Sequence, residues 1–215
     1  LGYFPKAFKG YLRALQKAEK KIIWVNAASV GEIMAVKPLI EELSVAYPNT
    51  GYIIVTNSSS GREMAGKLFG VEKVLLLPVD LPWTARRVVR RIKPELTVLV
   101  EFEIWPNLIY SLSKAGSKIV LINGSVQEKM LRFYARFPGL LKTTLNRIDF
   151  LGMKTAEEKR KIQNLLVNPG KIRVTGDLKY DGVKTIPEDG RIILKNSLKI
   201  PEDARVFVAG STHPG

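Results

Sequence analysis

Acid–base chemistry in this sequence is expected from carboxylates and lysines, a Ser-His-Asp triad being possible only through the extreme C-terminus. Of 215 residues none is cysteine and one, His213, is histidine. Disulfides, thiolate metal sites and cysteine nucleophiles are thereby excluded, as is a centre built from several histidines; no metal is expected. Glu32 is the first candidate. It follows an apolar, partly β-branched run, Ile22–Val25, and a turn of small residues: Ala27, Ala28, Ser29 and Gly31. Strand, tight turn and helix start is the arrangement at which open α/β sheets bind ligands. Two readings of Glu32 stand side by side. Ser29-Val-Gly-Glu32 has the spacing of a capping box, serine bonding forward and glutamate bonding back. The same carboxylate, kept ionised by the helix start, is suited to act as a general base. Ser29 and Gly31 then line the approach to it.

Glu101 and Glu103 follow a second apolar run, Leu96–Val100. On an extended segment, residues two apart share a side, and a buried carboxylate without a partner is costly. These acids are therefore either paired or capping groups, or a catalytic or orienting acid opposite Glu32. Lys179, in Gly176-Asp-Leu-Lys-Tyr-Asp181, either pairs with Asp177 or Asp181, or aims a cation at developing negative charge. Ser58, Ser59, Ser60 and Gly61 follow a strand at Gly51–Thr56 and precede a helix at Arg62–Leu68. They serve as a cap or, through hydroxyls and backbone N–H groups, as an anion site.

The elements that must position these residues alternate strand and helix. Strands are expected at Ile22–Val25, Gly51–Thr56, Val71–Leu77, Leu96–Val100, Lys118–Ile122, Phe150–Met153 and Lys171–Thr175. The intervening helices include Glu32–Leu43, with Pro38 kinking or restarting it. Others begin at Pro82 and Pro106, lie near Phe133–Ile148, and follow Thr155, whose spacing to Glu158 matches a capping box. This is the α/β pattern of a doubly wound, mostly parallel, Rossmann-like sheet. Past Asp181–Pro187 a helix at Pro187–Leu198 and a strand at Arg205–Ala209 read as a linker and the opening of a second domain. The expected divisions are residues 1–20, 21–182 and 183–215.

The formal charge is +14, which draws a chain to polyanions. Residues 1–20 place Phe4, Phe8, Tyr11, Leu12 and Leu15 at helical spacing among lysines and Arg13. Such a helix either packs its apolar face on the domain or lies in a membrane interface as a basic, membrane-proximal segment. Arg86, Arg87, Arg90 and Arg91 share one helix face, either solvated or turned to a membrane or phosphate. Nucleic acid is not the expected partner: basic residues are spread over helices rather than interleaved with stacking aromatics. No apolar run is long enough to span a bilayer.

Four motifs in order carry a resemblance. Val25-Asn-Ala-Ala-Ser-Val-Gly-Glu32, Glu101-Phe-Glu-Ile-Trp-Pro-Asn107, Gly176-Asp-Leu-Lys-Tyr-Asp181 and Ala209-Gly-Ser-Thr-His213 resemble those of bacterial 3-deoxy-D-manno-octulosonic acid (Kdo) transferases. The resemblance implies a GT-B glycosyltransferase of lipopolysaccharide biosynthesis, two Rossmann-like domains flanking a cleft. This sequence would be its amino-terminal, acceptor-binding half, inactive alone, with the donor-binding half and the usual membrane anchor outside it. It implies Glu32 as catalytic base, with Glu101 and Lys179 stabilising the transition state. Ser211, Thr212 and His213 would be cleft residues of the second domain. CMP-Kdo would be the donor and a lipid A precursor (lipid IVA) the acceptor, with no cofactor. The site of action would be the cytoplasmic face of the bacterial inner membrane, an anionic surface. One departure stands out: the family often has Asn-Ala-Arg-x-Ser where this chain has Asn123-Gly-Ser-Val126, without the arginine. Rival readings are a transferase of another nucleotide sugar to a membrane acceptor, and a basic polyanion-binding module without catalysis.

Overall fold

A computed structural model of the chain describes residues 4–77, 79–166, 168–181, 186–201 and 204–209. In chain order the elements are α1 (Lys6–Lys17), β1 (Lys21–Asn26), α2 (Val30–Ala46), β2 (Thr50–Thr56), α3 (Ser59–Phe69), β3 (Val74–Leu76), α4 (Pro82–Ile92) and β4 (Leu96–Val100). They continue with α5 (Pro106–Lys114), β5 (Lys118–Gly124), α6 (Glu128–Tyr134), α7 (Pro138–Leu145), β6 (Phe150–Met153), α8 (Ala156–Ile162), β7 (Ile172–Val174) and α9 (Glu188–Ser197). The chain divides into two compact units, residues 1–182 and 183–215.

The first unit is built on one seven-stranded sheet, ordered β3-β2-β1-β4-β5-β6-β7. Every pairing in it is parallel. Alternation along each strand creates two cores. Ile22 and Trp24 of β1, Ile53 and Val55 of β2, and Leu99 of β4 meet the buried residues of α1, α4, α5 and α7. Ile23, Val25, Tyr52, Ile54, Val98 and Val100 point the other way, to Ile33, Val36 and Ile40 of α2 and Ala65 of α3. Strands buried on both faces have to be apolar throughout, which is why β1, β2 and β4 read as continuous hydrophobic runs. Order reverses at β1 and β4, and the crevice past their carboxyl ends is where such sheets hold ligands.

Several local expectations are corrected. Residues Val71–Lys73 form a 3-10 turn, so β3 starts at Val74. The single helix expected near Phe133–Ile148 is two, because Pro138 sits at the start of α7 and cannot continue α6. Pro38 lies within α2 without ending it. The helix after Thr155 stops at Ile162. In the second unit α9 forms, but residues 204–209 are not a strand. A strand needs a hydrogen-bonding neighbour, and none of the described residues supplies one.

The amphipathic α1 settles its two readings by packing. Phe8, Leu12 and Leu15 are buried against the sheet, and Tyr11 Oη donates to the Tyr52 carbonyl at 3.3 Å. A helix of this length is marginal alone, whereas three buried side chains contribute roughly 5–9 kcal/mol. That apolar face is therefore occupied by the core and is not the face that enters a bilayer. Close approach of α1 to β2 depends on Gly51, where any Cβ would strike the Leu15 isobutyl group. Gly51→Ala is expected to cost roughly 1–3 kcal/mol, read as a lower urea midpoint; an unchanged midpoint would show that α1 yields at no cost.

Candidate active site

Glu32 sits in the first turn of α2, at the carboxyl end of β1. Ser29 caps the helix: its Oγ accepts from the Glu32 N–H at 3.2 Å and donates to Glu32 Oε1 at 2.9 Å. The other oxygen, Oε2, accepts from the Ala28 N–H at 2.7 Å. The reciprocal bond thus lands one residue before the cap rather than on the cap itself. The turn is braced from β2 as well, since Thr56 Oγ1 and Ser58 Oγ each donate to the Ala28 carbonyl at 3.0 Å. Ser58 also accepts from the Gly61 N–H at 3.1 Å, and Gly61 has no room for a Cβ beside Thr56, Ser58 and Ala28. Ser58 and Gly61 therefore hold the turn. Ser60 is exposed, and Ser59 faces a separate cleft of about 450 Å³ together with Arg62 and Leu76. Gly31 is exposed, and a Cβ there would meet nothing closer than Ser29 Oγ at 3.9 Å.

Only 8% of Glu32 is exposed. Burial pushes its carboxyl pKa up, against the bonds from Ala28 and Ser29, and the negative charges of Glu101 and Glu103 add to the rise. Glu103 is also raised by burial, against a 2.9 Å bond from Trp105 Nε1, with Glu101 adding to it. Three carboxylates from the ends of β1 and β4 are thus near enough for charge on Glu101 to oppose ionisation of Glu32 and Glu103. A raised pKa makes a stronger proton acceptor.

Glu101 departs from the geometry expected of it. Its φ is +60°, a left-handed backbone that only surrounding contacts maintain in a residue of this type. The period-two argument for Glu101 and Glu103 therefore lapses, and the two acids take different partners. Glu101 Oε1 pairs with Lys154 Nζ at 3.2 Å, and Lys154 reaches Asp177 Oδ2 at 3.6 Å. Asn123 is left-handed too, at φ +57°. Leu121 and Gly124 of β5 pair with Leu151 and Met153 of β6, three steps against two, and such a bulge re-aims a side chain. Asn123 Oδ1 accepts from the Leu178 N–H at 3.0 Å. Its Nδ2, and Oδ1 of Asn26 at the end of β1, are buried without a protein partner; unpaired buried polar atoms are rare.

Glu101, Glu103 and Trp105 line a cleft of about 420 Å³ with Ser125, Met130, Phe133 and Tyr134, within the range of small-molecule sites. Glu32, Ser29 and Gly31 do not line it; Glu32 meets the cleft's acids through charge. Lys179 is exposed, and its ammonium makes neither pair expected for it: Asp177 pairs with Lys154 and accepts the backbone N–H of Lys179 at 3.0 Å. Lys154 is the cation that sequence reasoning missed. Its signal was its place, one residue past β6, as Glu101 stands one past β4. Ser211, Thr212 and His213 lie outside the described residues. Among the described residues no cluster of acids and histidines fit for a metal occurs.

A family model described as 3-Deoxy-D-manno-octulosonic-acid transferase (kdotransferase) matches residues 4–182. The chain is 30% identical over 195 residues to the 3-deoxy-D-manno-octulosonic acid transferase of Haemophilus influenzae, covering 90% of this chain and 45% of that protein. The transferase of Chlamydia trachomatis is 26% identical over 207 residues, covering 95% and 48%. A bifunctional glycosyltransferase/methyltransferase of Fusobacterium nucleatum is 31% identical over 202 residues, covering 92% and 31%. The chain thus spans less than half the length of each. Among solved structures, UDP-GlcNAc 2-epimerase from Neisseria meningitidis superposes with a TM-score of 0.52 at 14% identity, covering 83% of this chain and 51% of that one, a likeness of fold alone. On the family match over residues 4–182, this chain belongs to the 3-deoxy-D-manno-octulosonic acid (Kdo) transferase family.

Proposed function

We propose that this chain is the acceptor-binding half of an inverting transferase that moves Kdo from CMP-Kdo to a lipid A precursor, with Glu32 as general base. The observation that carries the reading is the Glu32 carboxylate, fixed by Ala28 and Ser29 at the β1–β4 crevice with its pKa raised. Each carboxylate oxygen holds more than one lone pair, so the bonds to Ala28 and Ser29 leave room to accept from a sugar hydroxyl. In the step, the acceptor O–H proton goes to Glu32 as the oxygen bonds to the anomeric carbon. The bond from that carbon to the phosphate oxygen breaks, and CMP departs with the electron pair. Glu101 and Lys179 are proposed to stabilise the transition state, Lys179 by approaching the sugar carboxylate or the leaving phosphate.

The cleft beside Glu101 and Glu103 is proposed to seat the acceptor. Trp105, Phe133 and Tyr134 give it aromatic surface, and exposed Phe137 extends that surface beyond it. Ser29, Gly31 and the Ser58–Gly61 turn do not line that cleft; they are proposed to act beside it, around the Glu32 turn that Ser29, Ser58 and Gly61 hold. An acylated, phosphorylated acceptor places the reaction at an anionic membrane, taken to be the cytoplasmic face of the inner membrane. Among the described residues no helix is long and apolar enough to cross a membrane. The contact proposed for this chain is electrostatic, through the exposed arginines of α4. The test is transfer of Kdo from CMP-Kdo to lipid IVA by the full-length protein, the chain joined to the second half its relatives carry. Transfer of a different sugar, with CMP-Kdo inert, would overturn the donor assignment.

A further inference from the structure

We propose that Lys154 is a positioning residue of this site, an inference resting on the transfer reaction assigned above. Its ammonium joins Glu101, from the end of β4, to Asp177, from beyond β7, at 3.2 and 3.6 Å. Its own backbone is fixed by an N–H bond to the Gly124 carbonyl at 2.9 Å. One side chain thus spans the carboxyl edge of the sheet from β4 to β7. Asp177 uses its other oxygen to accept the Lys179 N–H at 3.0 Å, and Asn123 holds the Leu178 N–H. The segment that carries Lys179 is therefore docked on Lys154 and Asn123 together.

The pair is not a surface ornament. The side chains of Lys154, Glu101 and Asp177 are 15%, 30% and 25% exposed. Exposed ion pairs contribute little, but removing one partner of a sheltered pair leaves an uncompensated charge. Here that charge would be Glu101, whose left-handed backbone already needs its surroundings to hold it. The charged groups that the ammonium meets are Glu101 and Asp177 in contact and Glu158 from α8 through charge, Glu158 being paired with Lys161 at 2.8 Å; Glu32 and Glu103 are coupled to Glu101. Without the cation, the Glu101 charge that raises Glu32 and Glu103 is left uncompensated.

The test compares Lys154→Met with Lys154→Arg. In the full-length protein, Lys154→Met is expected to lower kcat/KM by up to about 10²-fold. The acid limb of its pH–rate profile moves to higher pH. Lys154→Arg keeps the charge and restores most of the rate. In the chain itself, hydrogen exchange at the Leu178 and Lys179 amides speeds by roughly tenfold or more in Lys154→Met, while α2 amides stay protected. Glu32→Gln, measured alongside, separates the two levels. If it abolishes transfer while Lys154→Met keeps wild-type rate, profile and amide protection, the positioning role is overturned and the base assignment stands. If Glu32→Gln transfers normally, the base assignment fails and this proposal falls with it. A Lys154→Met rate loss with an unmoved acid limb and no rescue by arginine marks a merely structural residue and also overturns the proposal.

Discussion

Glu32→Gln is expected to lower Kdo transfer by about 10²–10⁴-fold, or roughly 3–5 kcal/mol in activation free energy, without destabilising the domain at neutral pH. The amide oxygen can still accept from the Ala28 N–H, and the amide NH₂ can donate to Ser29 Oγ once that hydroxyl rotates. Capping survives, whereas proton acceptance does not. The charge removed is one the fold resists. Burial raises the Glu32 pKa above its ordinary value, with Glu101 and Glu103 adding to the shift. The folded state therefore holds the proton more tightly than the unfolded chain does. The associated stability is complete below the unfolded pKa and is lost as pH rises through the folded one. Glutamine, neutral at every pH, is expected to match or exceed wild-type stability near pH ~7, the advantage shrinking toward pH ~4 as wild-type Glu32 protonates. Initial rates on the full-length protein and urea unfolding across that interval check both halves. Near-normal turnover by Glu32→Gln would remove Glu32 from the chemistry. Lower stability at neutral pH would mean that the capping bonds outweigh the cost of the buried charge.

What the sequence disclosed was what neighbouring residues determine. The runs at Ile22–Val25 and Leu96–Val100 lie in strands because both of their faces are buried. The caps at Ser29, Ser58 and Thr155 formed because each hydroxyl needs only an N–H three residues on. The single helix expected near Phe133–Ile148 passed over Pro138, which separates α6 from α7. The contacts that shape the site are distant in sequence. Lys154 meets Glu101 across 53 positions and Asn123 meets Leu178 across 55, and no local spacing announces either. Nor does a glutamate reveal in advance that its φ will be +60°. The strand expected at Arg205–Ala209 failed for the converse reason: composition favours an extended chain but cannot provide the neighbour a ladder needs. Lys179 shows the limit of motif reading, since a motif names a residue type without showing which groups it reaches.

Replacing Arg86, Arg87, Arg90 and Arg91 together with serine is expected to weaken binding to anionic vesicles by about three orders of magnitude, at ~1 kcal/mol per charge near the surface. Charge divides unequally between the two sides of the sheet. Helices α1 and α4 carry eight lysines and arginines and no acid, and both bury their apolar residues in the same core. On the opposite side, α2 and α3 pair Lys37 with Glu41 and Lys67 with Glu63. Among the described residues none of the four α4 arginines pairs with a carboxylate, and all are exposed. Their removal should cost the fold no more than about 2 kcal/mol, roughly 0.5 kcal/mol at each of the four positions, as at most surface positions away from caps and buried contacts. Because α1 spends its apolar face on Phe8, Leu12 and Leu15 packing, attraction through charge has to supply most of the adhesion, and charge is screened by salt. Co-sedimentation with phosphatidylglycerol-containing vesicles should therefore collapse both in the serine variant and in high salt, and be weak on pure phosphatidylcholine. Binding that ignores all three changes would assign the adhesion to apolar contact instead, with exposed Phe133 and Phe137 as the residues to test.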